Sequence, residues 1–529
     1  MTLHRRAFLR QIGFGAAGLG LASALSARLL AQKLADGKLP RSTPEAQGVS
    51  SEGIVAFLDA IGSSKHEFHS FMMARHGRVV AEGWWSPYRP DLNHTLYSLS
   101  KSFTSTAVGL AVSDGSMKVE DQVISFFPDD LPAKVSEHLA ALRVNHLLTM
   151  SVGQAEEPVL ALTKEQNWVR TFLSLPIKNE PGSVFLYNSG ATYMLSAIVQ
   201  KVTGQKVIDY LTPRLFEPLA IEGMTWETCP HGINTGGWGL SVRTEALAKF
   251  AQLYLRKGLW QGRPVLPAAW VEEATSFKIQ QPGADLERLK RESDWHQGYC
   301  YQFWRCRHGA FRGDGAFGQY AIVMPEEDAV VAITSESPDL HGELNLVWEH
   351  LLPAMSAKPL PADKKLQAEL EQRLDSLALA LPRGKSTSPI VTKVSGKSFV
   401  LESNDLGARS VSFGFRDEAC IFTLKDETSQ YPIVCGLEEW LAGETSMPGT
   451  PPRLIPAGGA RNSKVAAGGR WKDDATFEMI WRYCETPHHD AVTCHFEDGK
   501  IRIEFVNSLA QMNPSRKDKR PILQGRMTA

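Results

Sequence analysis

Residues 96–103 read Leu-Tyr-Ser-Leu-Ser-Lys-Ser-Phe, and Ser98 with Lys101 forms the chain's single Ser-x-x-Lys. The stretch lies where a loop passes into Ser100–Val112, which carries Phe103, Val108, Leu110 and Ala111 and reads as a helix. Residues three apart on a helix share a face, so the Lys101 ammonium can reach the Ser98 hydroxyl. A serine hydroxyl is a poor nucleophile until a neighbouring base accepts its proton. A helix start adds free backbone N–H groups and a partial positive charge suited to an oxyanion. Taken alone, the four residues also fit an N-capping serine beside a solvated lysine.

Outward from this stretch the pattern is regular. Ile54–Ile61 reads as a helix, and Phe68–Ala74 and Val79–Trp84 read as strands around His76-Gly77-Arg78. Helices are expected at Ala191–Val202 and Glu245–Arg256. Strands follow at Gln319–Met324 and Ala329–Ser335, joined by the turn Pro325-Glu326-Glu327-Asp328. Strands at both ends with helices between predict an α+β layout, an antiparallel sheet whose edges come from distant chain segments. Residues 353–363 are rich in Pro, Ala and Lys, and Leu366–Ala380 has the leucine spacing of an amphipathic helix. The segment 356–385 therefore reads as a linker with a helix. Short alternating stretches then recur at Ser398–Glu402, Ser410–Phe415, Cys420–Leu424, Phe477–Tyr483, Ala491–Phe496 and Ile501–Val506. They predict a separate all-β domain over 386–529, a small sandwich or barrel.

Composition narrows the class. The 529 residues are 43% hydrophobic and 22% charged, with 57 Lys plus Arg against 58 Asp plus Glu. That balance excludes a disordered or collagen-like chain and carries no electrostatic footprint for nucleic acid. Seven cysteines without a Cys-x-x-Cys do not make a disulfide scaffold in a chain long enough to build its own core. Residues 5–10, Arg-Arg-Ala-Phe-Leu-Arg, precede an uncharged Gly/Ala/Leu-rich run from Ile12 to Ala27. This resembles a twin-arginine export signal over residues 1–31, too short and too glycine-rich for a membrane span. It implies the twin-arginine export machinery as a partner and a periplasmic or secreted mature protein.

Six further segments carry a resemblance. After Tyr-Ser-Leu-Ser-Lys-Ser-Phe at 97–103 come Val144–Met150 with its His-Leu-Leu-Thr, Pro181-Gly182, and Phe185-Leu186-Tyr187-Asn188-Ser189. Phe216-Glu217-Pro218-Leu219, Gly236-Gly237-Trp238-Gly239-Leu240 and Gly313-Asp314-Gly315-Ala316-Phe317-Gly318-Gln319 follow. In this order, over about 44–355, they resemble the serine hydrolases of the class C β-lactamase, D-alanyl-D-alanine peptidase and related esterase family. The resemblance implies a β-lactamase/transpeptidase-like domain over 40–355. It assigns Ser98 as nucleophile, Lys101 as the lysine that hydrogen-bonds it, and Tyr187 as a proton relay to the leaving group, with the general base open between Lys101 and Tyr187. It implies acyl-enzyme chemistry on an ester or amide, with a small-molecule or peptide-like substrate. A β-lactamase and a catalytically silent, peptidoglycan-sensing protein are the alternatives. No cofactor or metal is implied.

Two departures stand out. The second motif ends in Ser189 where the family often has Asn, so that either Asn188 or the Ser189 hydroxyl serves there. The third motif lacks Lys-Thr-Gly and reads as Ala310-Phe311-Arg312 or Gly313-Asp314-Gly315, the second favoured because paired glycines admit a ligand close to the backbone. The missing cation disfavours a substrate held by its carboxylate. An Asp314 facing the pocket favours a neutral or amine-bearing one, and Arg312 or His308 is a possible substitute charge. The oxyanion hole is expected at the backbone N–H of Ser98 and one near Gly315.

Among the tryptophans 84, 85, 238 and 304, Trp238 is the best candidate for a pocket wall. Cys484, His488, His489, Cys494 and His495 match no zinc spacing and read as two strands and a turn, across which a Cys484–Cys494 disulfide is geometrically open. The β domain is a candidate for cell-wall binding or for covering the active site.

Overall fold

The computed structural model describes residues 37–455, 462–513 and 515–528. The expected signal at 1–31 lies outside them. Helix α1 (Ser51–Ser63) starts where the Ser50 hydroxyl accepts a hydrogen bond from the Gly53 N–H. Strands β1 (Glu67–Arg75) and β2 (Arg78–Trp84) form a hairpin. Far along the chain come β3 (Trp304–Arg305), β4 (Phe311–Gly315), β5 (Gln319–Met324) and β6 (Ala329–Glu336). The sheet runs β2-β1-β6-β5-β4-β3, antiparallel throughout. Its two halves, more than 200 residues apart in sequence, join where β1 pairs β6 from Glu67↔Glu336 to Arg75↔Ala329.

The sheet is covered on both faces, so β1, β5 and β6 are buried at nearly every position and not at alternate ones. Phe71, Met73, Ile322 and Ile333 face α1 and the helical segment at 340–351. Met72, Ala74, Ala321 and Ala332 face α2 (Ser100–Ser113) and α4 (Thr244–Leu255), through Phe103 stacked on Phe250 at 3.9 Å. Helix α3 (Ser189–Thr203) runs alongside α2, capped by Asn188 and ended by Gly204 at φ 71°. The predicted helix at 366–380 is α5 (Lys364–Asp375), five residues shorter at its C-terminal end. Residues 377–379 instead extend to bracket Ser86, whose N–H donates to Leu377 O while Leu379 N–H donates to Ser86 O. Leu370 and Leu374 of α5 complete the α1 side of the core.

The C-terminal region is a ten-stranded, almost wholly antiparallel sheet over β7 (Ser398–Leu401), β8 (Ser410–Phe415), β9 (Ala419–Lys425), β10 (Gln430–Gly436), β11 (Leu441–Thr445), β12 (Ser463–Trp471), β13 (Thr476–Tyr483), β14 (His489–Glu497), β15 (Lys500–Asn507) and β16 (Leu523–Met527). A parallel contact of Cys435 with Ala467 and Gly436 with Gly468 closes it into a barrel. Inward residues alternate along β13 and β14, where Phe477, Met479, Trp481, Val492 and Cys494 fill the interior. All seven cysteines are free and buried, so Cys484 and Cys494 are not bridged. Cys494 points into the barrel core while Cys484 packs with Leu92 outside it.

Candidate active site

Ser98 sits in a single tight turn, Tyr97–Leu99, that runs directly into α2. Two backbone contacts fix the turn against the rest of the domain. Leu96 N–H donates to Leu240 O at 2.9 Å, and Gly315 lies so close to Leu96 O that any side chain there would collide with it. Gly313 is pressed against α2 in the same way, because a Cβ on it would lie 2.7 Å from Ser102 Oγ. Strand β4 thus presents Gly313-Asp314-Gly315 to the helix that follows Ser98. Of the two registers open in the sequence, the glycine pair is the one beside the site.

Lys101 is buried, and its ammonium meets three neutral oxygens. It donates to Ser98 Oγ at 3.0 Å, to Ser189 Oγ at 3.1 Å and to Gly237 O at 2.8 Å. No carboxylate touches it. Burial disfavours the charged form, and the more distant carboxylates of Glu157 and Asp314 offset this only in part, so the lysine pKa is pushed down to about 7. Tyr187 is half-buried, with the Lys101 nitrogen over its ring at 4.8 Å from the centroid. Burial and the nearby Asp314 carboxylate push its pKa above the usual phenol value. The ring stacks on Trp304 at 5.5 Å, and Tyr299, Phe185 and Trp295 extend this aromatic wall.

The second motif divides its work. The fully buried Asn188 uses its side chain to accept from Ala191 N–H at 2.8 Å, capping α3, and to donate to Gln154 Oε1 at 2.7 Å. Ser189 supplies the polar atom on Lys101. In the third motif Asp314 is buried and paired with the Arg312 guanidinium at 2.9 Å, and burial pushes its carboxyl pKa up. Arg312 itself lies under Trp295 and Trp304, so its charge is spent inside the wall, and His308 stands away beside Trp348. Trp238 is buried against Trp168 at 5.8 Å. It holds its neighbour Gly237 O on Lys101 but does not join the Tyr187 wall. Trp304, weighed in the sequence behind Trp238 as a pocket wall, is the tryptophan that forms it. The sequence reading did not foresee that Gly237, inside its Gly-rich motif, meets Lys101 through its carbonyl, because a backbone carbonyl leaves no side-chain signal.

Among the described residues one group has metal-ligand chemistry in reach, Glu67, Glu336 and His489. The Arg482 guanidinium takes both oxygens of Glu67, at 2.5 and 3.0 Å, and Glu336 is shared by His488 and His489. These charges are already balanced by protein cations and hydrogen bonds, as in an ion-pair network.

A family model described as Beta-lactamase matches residues 69–354. The 6-aminohexanoate-dimer hydrolase of Paenarthrobacter ureafaciens is 26% identical over 294 residues, 51% of this chain and 73% of that protein. Penicillin-binding protein 4 of Amycolatopsis lactamdurans is 25% identical over 315 residues, 50% of this chain and 81% of that protein. Among solved structures, the octameric penicillin-binding protein homologue from Pyrococcus abyssi aligns with a TM-score of 0.46 at 15% identity, over 90% of this chain and 99% of that one. With the matched span containing Ser98, Lys101, Tyr187 and the whole of the six-stranded sheet from His69 onward, the chain belongs to the Beta-lactamase family.

Proposed function

We propose that the protein is a serine hydrolase that forms an acyl-enzyme on Ser98 and hydrolyses an ester or amide. The observation that carries this reading is Lys101: a buried amine, without a carboxylate in contact, 3.0 Å from a serine hydroxyl at a helix start. Neutral Lys101 takes the Ser98 proton as Oγ bonds to the substrate carbonyl carbon. The carbonyl oxygen, now anionic, is held by the backbone N–H of Ser98 and one near Gly315. As the bond from the carbonyl carbon to the leaving amine or alcohol breaks, Tyr187, whose pKa is held high, passes its proton to that group and is reprotonated by the Lys101 ammonium, which holds the proton taken from Ser98. Water then repeats the attack on the acyl-enzyme, with Lys101 again the base. Lys101 and not Tyr187 is assigned the base because burial moves the lysine toward neutral pH and the phenol away from it.

The substrate class follows from the wall. Among the described residues no free cation stands where a Lys-Thr-Gly lysine would, and the buried Arg312 is paired with Asp314. An uncharged or amine-bearing acyl group against Tyr187 and Trp304 is favoured over a carboxylate-bearing one. Relatives whose names denote hydrolysis of 6-aminohexanoate dimer, or a D-aminopeptidase, support an amide substrate. The twin arginines at 5 and 6 support export of the mature chain to the periplasm, which N-terminal sequencing of the native protein checks.

Intact-mass analysis after treatment with a fluorophosphonate tests the mechanism. One stoichiometric adduct on the wild type, absent from Ser98→Ala, is expected. An unlabelled wild type, or a labelled Ser98→Ala, would overturn it.

A further inference from the structure

A second polar network, separate from Ser98, Lys101 and Tyr187, joins the barrel to the nucleophile's own turn. Tyr97, the residue before Ser98, is buried at φ 48°, a left-handed conformation that bulky residues rarely adopt. Its phenol is hydrogen-bonded to His488 Nε2 at 2.5 Å, a partner from the C-terminal domain. His488 is fully buried just before β14, with Nδ1 2.7 Å from Glu336 Oε1 at the end of β6 and 3.2 Å from Ser508 Oγ. The second Glu336 oxygen meets His489 Nδ1 at 2.9 Å. A carboxylate only accepts, so His488 Nδ1–H donates to Glu336, and the opposite ring nitrogen, Nε2, faces the Tyr97 hydroxyl.

The neighbourhood points the same way. Phe317, in the turn after Gly315, packs its edge on the Tyr97 ring at 5.3 Å and on the His488 ring at 4.9 Å. The barrel's Glu485 O accepts from Thr95 N–H at 2.9 Å, two residues before Tyr97. A left-handed tyrosine persists only where its surroundings over-determine it. Here the barrel shares in those surroundings, through His488 on the phenol and Glu485 O on Thr95.

We propose that the barrel is a positioning element of the active site. Through Glu336, His488 and the Tyr97 hydroxyl it holds the turn that sets Ser98 Oγ on Lys101. The inference rests on Ser98 being the nucleophile. Tyr97 and His488 touch no reacting atom; they act through the backbone on either side of Ser98. If this network only fastened two domains, its loss would lower stability and leave the chemistry of folded molecules alone.

The test uses the full mature chain as wild type, Tyr97→Phe, His488→Ala and His488→Gln. It measures the second-order rate of Ser98 acylation by a fluorophosphonate, kcat and KM on a nitrophenyl ester, and thermal unfolding. Tyr97→Phe removes one oxygen from a retained ring, so it stands as the deciding variant if His488→Ala does not fold. Expected for Tyr97→Phe and His488→Ala is a fall in acylation and kcat by at least about tenfold with KM changed less than about twofold, as for a displaced nucleophile. His488→Gln, whose amide can donate to Glu336 and accept from Tyr97, is expected to recover most of the loss. Acylation of folded Tyr97→Phe at the wild-type rate would overturn the proposal, whatever its melting temperature. A wild type that takes no adduct would instead remove the assignment of Ser98, a result read before any variant is compared.

Discussion

Two buried cations in this molecule are surrounded differently, and the difference separates chemistry from architecture. Arg482 lies where the barrel meets the sheet, and both oxygens of the Glu67 carboxylate grip it. The arginine pKa is raised by Glu67 against the effect of burial, and the Glu67 carboxyl is driven down by Arg482 against the same effect. Neither gives up its charge near neutral pH. Lys101 is as deeply buried, yet its contacts are two hydroxyls and a carbonyl. Three neutral acceptors orient an ammonium without repaying its lost hydration, so the proton is loosely held. A cation met by a carboxylate fastens two domains; a cation met by neutral oxygens holds its proton loosely enough for the role of base proposed for Lys101.

Lys101→Met removes the proposed base, and acylation of Ser98 should fall by about a thousandfold or more. The same variant has a stability signature. Below about pH 7 folded and unfolded wild type both carry the lysine charge, and the folded state bears the full cost of burying it. Between about 7 and the ordinary lysine value of 10.5 the folded protein sheds that proton first, so wild-type stability rises with pH. The methionine variant should therefore gain most over wild type at pH 6 and least at pH 9, by a few kcal/mol in denaturant titrations. An equal gain at both would mean that Lys101 is an ordinary charged lysine.

Arg482→Met removes the guanidinium from the partly buried Glu67, which keeps only the His69 Nε2 contact at 3.2 Å, and should cost about 3 kcal/mol in urea unfolding. Adding Glu67→Leu should restore much of that loss, since two matched apolar groups replace the pair. A double variant no better than the single would show that the pair does more than balance its own charges.

Ser189→Asp converts one region into the other by giving Lys101 a carboxylate in contact. The lysine pKa should rise by about one to three units, and acylation at pH 7 should fall about tenfold or more while recovering at high pH. An unchanged pH midpoint would contradict the explanation of why Lys101 is a base.

Much of the catalytic half was legible in the sequence because its chemistry sits in side chains at recognisable spacings. Ser98, Lys101 and Tyr187 converge as the motif order implied, and β1, β2, β5 and β6 fall within a residue or two of the strands read from apolar runs. Asn188 and Ser189 could not be told apart by type alone. The helix start decided it, since a cap must face its own N–H groups. In the barrel β10, β11, β12 and β16 were not foreseen. Strand β12 reads Ser-Lys-Val-Ala-Ala-Gly-Gly-Arg-Trp, and its small residues hide the alternation because Gly469 makes room for the Phe477 ring and Gly468 for Leu381. His488 was weighed only as a zinc ligand. Its partners, Tyr97 and Glu336, lie 391 and 152 residues away, and no local pattern links them.

The most direct measurement is the pH dependence of the rate at which a neutral fluorophosphonate acylates wild-type Ser98, followed from pH 5 to 10 by intact mass. A buried lysine acting as the base predicts a rate that rises with pH, has its midpoint near 7 and is level above about 8.5. A rate still climbing at pH 10, or one that does not change across the range, would contradict it.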